Sequence, residues 1–471
     1  MHTMTQDQIS AEDAVKTGRI LYRYMLFWSL AFLAAAPLGA IISGERGQIL
    51  HNLFLIITTP ANLVTDYFNI GGLGSTLINA AVCGLACNLI ALATHTVATP
   101  TTLAGYFLIV AHCFYGLNFV NMWPPFIGVY LFCRVTGHPL SQNLHIAMFS
   151  TALAPFISDF LFRYTIGDAY VFGEVHLTVP GVILAILFGL LSGFVVPALL
   201  PGTTRMHRAY NLFKAGLAIG ILGMFVYAFL YKTLGIEPPS VVVRDNPVYD
   251  ANGGSYAPFL FVMFGSIFLL TLLFGWLQNG RSFRGYRALY CSTGHRADFV
   301  KSYGIPLTLI NIGLYGLGIL AFLALILPLP HSAGFCGPVA GAVIAAITFS
   351  ASGQTPRNVF PLAVGYALFY GLVAAICALF GLEHEWSLAS QGYISGLAFA
   401  TGLCPFAGRY GARVGILAGM LHAVICTSTL SLHGGFVLYN GGLTAGLTAL
   451  VLIPILDFYQ VKEHPAKYNQ A

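Results

Sequence analysis

The residues of this chain whose types and spacing could do chemistry come in pairs. Asn121, Trp123 and Pro124 open the stretch NMWPPFIGVYL, and Asn358, Phe360 and Pro361 open NVFPLAVGYAL, each inside an apolar run. Glycine follows four residues after the shared proline and leucine three after that, at Gly128 and Leu131 and again at Gly365 and Leu368. A proline there removes a backbone donor and pushes the preceding chain off the helical path. In a medium without water the freed carbonyls need partners. The Asn121 and Asn358 amides can supply them, or hold a polar solute, with Trp123 and Phe360 as walls. The competing reading is a plain helix start, with asparagine as cap, proline in the first turn and the aromatic at an interface.

Two more pairs follow in the same order. TALAPF (Thr151 to Phe156) returns as TGLCPF (Thr401 to Phe406). Pro155 and Pro405 fall in mid-run. Thr151 and Thr401 either bond the carbonyls these prolines expose or mark a broken helix whose ends coordinate a solute. Asp159, in PFISDF, is a carboxylate in an apolar run, by default a proton or cation site; Arg163, one turn on, is its structural alternative. Gly408 and Arg409 stand there in the second copy, so the carboxylate is not duplicated. HRAYNLFKAGLAIG, from His207, returns as HGGFVLYNGGLTAG, from His433. These bring Tyr210, Asn211, Tyr439, Asn440 and an unusually deep Lys214. A histidine opening a helix here contacts solute, gates by pH or is simply hydrated at an interface. Gly216, Gly220, Gly442 and Gly446 suit close helix packing.

The elements that must position these residues follow from composition. The chain is 57% hydrophobic and 8% charged with a mean hydropathy of +0.78, against roughly 25% charged in soluble domains. The fold class is therefore an all-α polytopic membrane protein. A span needs about 20 residues. Candidates are 22–43, 71–93, 100–116, 118–134, 143–165, 178–199, 208–232, 257–278, 306–329, 333–350, 357–380, 386–404, 412–431 and 434–456, about 14 transmembrane helices. Polar residues break 47–69, which reads as re-entrant or interfacial. The first run is too long for a cleaved signal and reads as a retained helix. Nine scattered cysteines give no disulfide or zinc pattern. The net charge of +5 is spread over short loops, so nucleic acid is not an expected partner.

The basic loop 279–305 is expected in the cytoplasm by the positive-inside rule. Counting spans from it puts both termini inside and the linker 233–256 outside. The matched stretches divide the chain into halves, 1–232 and 257–471, with repeat units of about 94–232 and 331–456. Five spans per unit, an odd number, makes them two inverted repeats (5+5), and pairing 22–43 and 71–93 with 257–278 and 306–329 extends this to 7+7. Such architecture places substrate near the midplane between repeats.

The stretches LVTDYFNIGGLGSTLIN, NFVNMWPPFIGVYL, GQTPRNVFPLAVGYAL and LYNGGLTAGL together resemble a family of bacterial membrane proteins known only as domain of unknown function 1576. The resemblance implies a bacterial inner-membrane protein and brings no activity with it. HGGFVLYNGGLTAGL and the two Thr-x-x-x-Pro-Phe stretches are also similar to urea transporters, built from two inverted five-helix halves. Here the His433–Tyr439 and Thr151–Pro155 spacings are wider, leaving urea as one candidate solute. His-Glu-x-x-His, Gly-x-Ser-x-Gly, paired intramembrane carboxylates and clustered Cys/His do not occur, so no enzyme, metal or cofactor is expected. The expectation is a transporter or channel for a small polar solute or ion in the lipid bilayer, lined by the paired residues and compatible with a homo-oligomer. The rival is a membrane subunit of an enzyme or redox complex, or a membrane-embedded enzyme.

Overall fold

In a computed structural model, residues 6–383 and 387–463 are described, and among them the chain is helical with no strand. The expectations for the extreme termini lie partly outside these residues. In chain order the helices are α1 (Gln6–Ile42), α2 (Ile49–Thr58), α3 (Tyr67–Gly71), α4 (Leu73–Ala93), α5 (Pro100–His112), α6 (Trp123–Thr136), α7 (Leu140–Ser150), α8 (Ala154–Phe162), α9 (Val179–Met206) and α10 (Lys214–Tyr227). A linker bearing α11 (Pro247–Ala251) leads to α12 (Ala257–Gln278), α13 (Tyr286–Tyr290) and α14 (Phe299–Ile326). There follow α15 (Gly337–Ala346), α16 (Pro356–Phe380), α17 (Gln391–Ala400), α18 (Cys404–Tyr410), α19 (Ala412–Ile425), α20 (Ser428–Ser431) and α21 (Asn440–Phe458).

Nine helices, not fourteen, are long and apolar enough to cross a membrane among the described residues, counting α7 and α8 as one span over Leu140–Phe162. The stretches expected to span at 100–116, 118–134, 333–350, 386–404 and 412–431 hold helices of 13, 14, 10, 10 and 14 residues. Helices α5 and α15 end early at turns as apolar as the helices themselves, Cys113 to Leu117 and Ile347 to Ala351. The doubtful segment 47–69 forms the ten-residue α2 and a buried, non-helical stretch before α3. His207 and His433 do not open helices. The helices start at Lys214 and Asn440, because the preceding backbone is used elsewhere: Leu212 N–H donates to the Gly402 carbonyl (2.9 Å) and Leu438 N–H to the Ala152 carbonyl (3.0 Å).

The same bonds recur along the chain. Asn79 donates to the carbonyls of Cys113 (3.0 Å) and Leu117 (2.9 Å), while Asn311 donates to those of Ser350 and Gln354 (2.8 Å each). Asn121 clips the Gly116 carbonyl (3.0 Å) and Asn358 that of Gly353 (2.8 Å). Asp66 caps Phe68 N–H and Asp298 caps Lys301 N–H, both at 2.9 Å. Six residues after each aspartate stands a glycine with left-handed φ, +83° at Gly72 and +80° at Gly304, which kinks the helix entry. Thr151 and Thr401 bond back to Met148 (2.7 Å) and Ala398 (2.6 Å) within matching 3₁₀ turns.

Contacts between the halves are reciprocal. Phe156 stacks on Phe436 with centroids 4.4 Å apart, and Tyr210 on Phe406 at 4.6 Å. Along α10 and α21 the backbones touch: a Cβ added at Gly216 would run into the Gly442 backbone, one at Gly220 into Leu443, and one at Gly446 into Leu217. Pro124 fills the space over Gly189, and Pro361 that over Gly415. Outside this centre α1 packs on α4 and α12 on α14.

Gly216→Leu is expected to separate α10 from α21, at a cost above the roughly 1–3 kcal/mol typical of overpacking. A thermal melt of the purified protein checks it. Asn79→Ala and Asn311→Ala should each lower the melting temperature similarly, since each strands two buried carbonyls at about 1–3 kcal/mol apiece. A neutral Asn311→Ala would contradict the equivalence.

Candidate functional site

The middle of the molecule is built from helices too short to cross it. Helices α5 and α15 are buried along nearly their whole length and pack against one another. Across them lies an aromatic layer contributed by both halves. Tyr439 meets His112 (5.2 Å), Phe149 (6.2 Å) and Phe399 (6.0 Å); Phe213 meets Phe349 (4.9 Å) and Phe399 (4.7 Å). The positions correspond: Phe213 with Tyr439, Phe349 with His112, and Phe399 with Phe149. Both ring nitrogens of His112 and the Tyr439 hydroxyl are buried without a hydrogen-bond partner among the described residues.

A cavity lies on each side of this layer. The first, of about 110 Å³, is lined by Phe149, Phe213, Lys214, Arg296, Phe349 and Tyr439, with Thr101 and Ser352 as smaller polar walls. The second, of about 60 Å³, is lined by Val64, Gln391, Ser395, Phe399, Asn440 and Gly441. Phe149, Ala215 and Lys214 of the first correspond to Phe399, Gly441 and Asn440 of the second. Arg296 corresponds to Val64, each two residues before its capping aspartate. Ala209 and Arg296, which line the first cavity, and Arg208 next to Ala209 in the chain hold left-handed φ of 63°, 52° and 49°. Such backbone costs about 1–3 kcal/mol and concentrates at functional sites. A third space of about 170 Å³, between α14, α15, α16 and α17, is nearly all apolar and unsuited to a polar solute.

Of the residues singled out in the sequence, Tyr439 lines the first cavity and Asn440 the second. Asn121, Asn358, Thr151 and Thr401 spend their side chains on neighbouring backbone or side-chain groups, Asn121 also reaching Ser158 (2.9 Å) and Thr401 accepting from Gln354 (2.5 Å). Asn211 shapes its own loop by accepting from Phe213 N–H (2.9 Å) and donating to the Gly442 carbonyl (3.1 Å). His433 bonds Asn440 (2.9 Å). Trp123 sits edge-on to Phe119 at 5.4 Å, and Phe360 is 68% exposed beside the apolar groove. Pro124 and Pro361 pack on glycines, and Pro155 and Pro405 each start a helix. The sequence reading missed Phe213, Phe349, Phe399 and Arg296. A repeated TLIN, at 76–79 and 308–311, sets the register that would have aligned Arg296 with Val64.

Neither Asp159, the carboxylate singled out in the sequence, nor Asp66 lines a cavity. Arg163 grips Asp159 at 2.6 and 3.0 Å while Tyr231 donates at 2.5 Å. Asp66 accepts from Phe68 and Gly337 N–H (2.9 and 3.0 Å) and from the Tyr249 hydroxyl. Where Asp159 would recur stands Arg409, bound to Glu463 and to His295 (3.3 Å) at the far end of the molecule; there Arg208 pairs with Asp457 (2.7 Å). Burial, then the charges of Arg409 and Arg296, push the His295 imidazole below its ordinary range. Arg163→Ala leaves the Asp159 charge buried and unpaired, so a loss of about 3–5 kcal/mol is expected. Thermal melts measure it. An Asp159→Asn variant that melted normally yet lost function would instead make Asp159 a transport residue.

No curated protein and no solved structure matches the chain. The likeness to urea transporters thus stays with the residues that suggested it. A family described as "Protein of unknown function (DUF1576)" matches residues 45–232 and 278–458. These segments hold both cavities and the aromatic layer between them, and leave out α1, the linker and nearly all of α12. The chain, apolar and helical, belongs to this DUF1576 family.

Proposed function

We propose that the protein is a transporter for a small polar solute or ion, formed by two inverted halves of seven helices in a bacterial cytoplasmic membrane, with both termini in the cytoplasm. The observation that carries this reading is the pair of cavities on corresponding residues, kept apart by Phe213, Phe399 and Tyr439. Two vestibules and a closed layer between inverted repeats are what alternating access needs. A channel would show one continuous polar path.

Inversion is supported by where corresponding helices end. A single span, α12, separates the linker 233–256 from the loop 279–298. At the end of α8, Arg163 reaches the Glu237 carbonyl in the linker (2.9 Å); in α18, Arg409 reaches His295 in the loop (3.3 Å). The repeated packing of α1 on α4 and α12 on α14 extends each unit to seven helices. The basic loop, with Arg281, Arg284, Arg287, Arg296 and Lys301, orients the first cavity toward the cytoplasm.

Solute counterflow in proteoliposomes, with neutral, cationic and anionic probes, tests this. Ser352→Trp fills one cavity and Ser395→Trp the other; each is expected to abolish exchange. Gly318→Trp, in the apolar groove where an added Cβ meets nothing within 4 Å, should leave it intact. Exchange that survives both plugs would refute the path, and a bound flavin or haem absorbance would favour a redox subunit.

A further inference from the structure

The first cavity carries a charge pattern its counterpart lacks. Lys214, the first residue of α10, and Arg296 both line it. At the corresponding places in the second cavity stand Asn440 and Val64. Neither cation makes an ion pair among the described residues, and no carboxylate lines the space. The first turn of α10 has no side-chain cap and adds its own positive end. Independently of these, Tyr439 lines the same cavity, and its hydroxyl is buried without a partner among the described residues.

We infer that this cavity binds a small free monocarboxylate between Lys214, Arg296 and the Tyr439 hydroxyl. Charge selects the anion. Size limits it, since about 110 Å³ is room for roughly three or four water-sized volumes of about 30 Å³. The walls choose among anions of that size: Phe149, Phe213 and Phe349 cannot replace a hydration shell but can cover a short apolar body. A cytoplasm-facing excess of basic residues could arise from topology alone. That origin does not account for a buried, unpartnered hydroxyl on a residue that lines the same cavity.

The inference rests on the cavity used in the transport reading, but its test is binding in detergent and needs no transport. Calorimetric titration of the purified full chain with sodium propionate is expected to show saturable binding, and propionamide, of the same shape without the charge, none. Lys214→Gln and Arg296→Gln should each weaken binding about ten- to hundredfold, the scale of one charge-assisted bond. Tyr439→Phe, which keeps the ring, should weaken it about three- to tenfold. Arg281→Gln, on an exposed part of the basic loop, should leave it unchanged. Equal binding of propionamide, or propionate affinity unaffected by Lys214→Gln and Arg296→Gln in monodisperse protein, overturns the inference. So does stabilisation by phosphatidylglycerol micelles alone, which would make the cations a lipid-headgroup site. Propionate binding without counterflow would keep the anion site and sink the transport reading; counterflow of neutral solutes alone would do the reverse.

Discussion

Every backbone donor and acceptor within a bilayer has to be bonded inside the protein, and four asparagines meet that requirement here. Asn79 and Asn311 reach across from α4 and α14 to the carbonyls left free where α5 and α15 give way to turns. Asn121 and Asn358 close the same turns from the other side. Helices α5 and α15 can therefore stop in the middle of the molecule. Because they stop there, the aromatic layer and the two cavities have somewhere to be.

The scaffold repeats its packing faithfully and its chemistry loosely. Gly216 and Gly442, Gly220 and Gly446, and the stacks of Phe156 and Tyr210 on Phe436 and Phe406 match pair for pair. Asp159 against Arg409, Lys214 against Asn440, and His112 against Phe349 do not. Shape has to agree between halves for their interface to close, whereas the polar groups are free to differ. The differences set the two cavities apart.

Much of this was legible in the sequence, for reasons that can be named. Composition established a helical membrane protein, and the three matched stretches fall on elements that make matching contacts. Five of the expected spans hold helices of 10–14 residues; two of these, α5 and α15, stop at turns written in apolar residues, Cys113 to Leu117 and Ile347 to Ala351, and hydropathy registers burial without registering where a helix stops. Asn121 and Asn358 stand out in the sequence, and the structure spends their amides on the Gly116 and Gly353 carbonyls and, for Asn121, on the Ser158 hydroxyl. Phe213, Phe349 and Phe399 look in sequence like any aromatic in a membrane helix. Their meeting depends on residues far apart in the chain, which no local pattern reports.

The central claim, two vestibules opening to opposite faces, is tested most directly by sidedness of labelling. In a variant lacking Cys291, the cysteine that is not buried, Ser352→Cys and Ser395→Cys would be exposed in turn to a membrane-impermeant thiol reagent on sealed vesicles of known orientation. The account predicts that each position reacts from one face, Ser352→Cys from the cytoplasmic side and Ser395→Cys from the other. Reaction of both from the same face would contradict it.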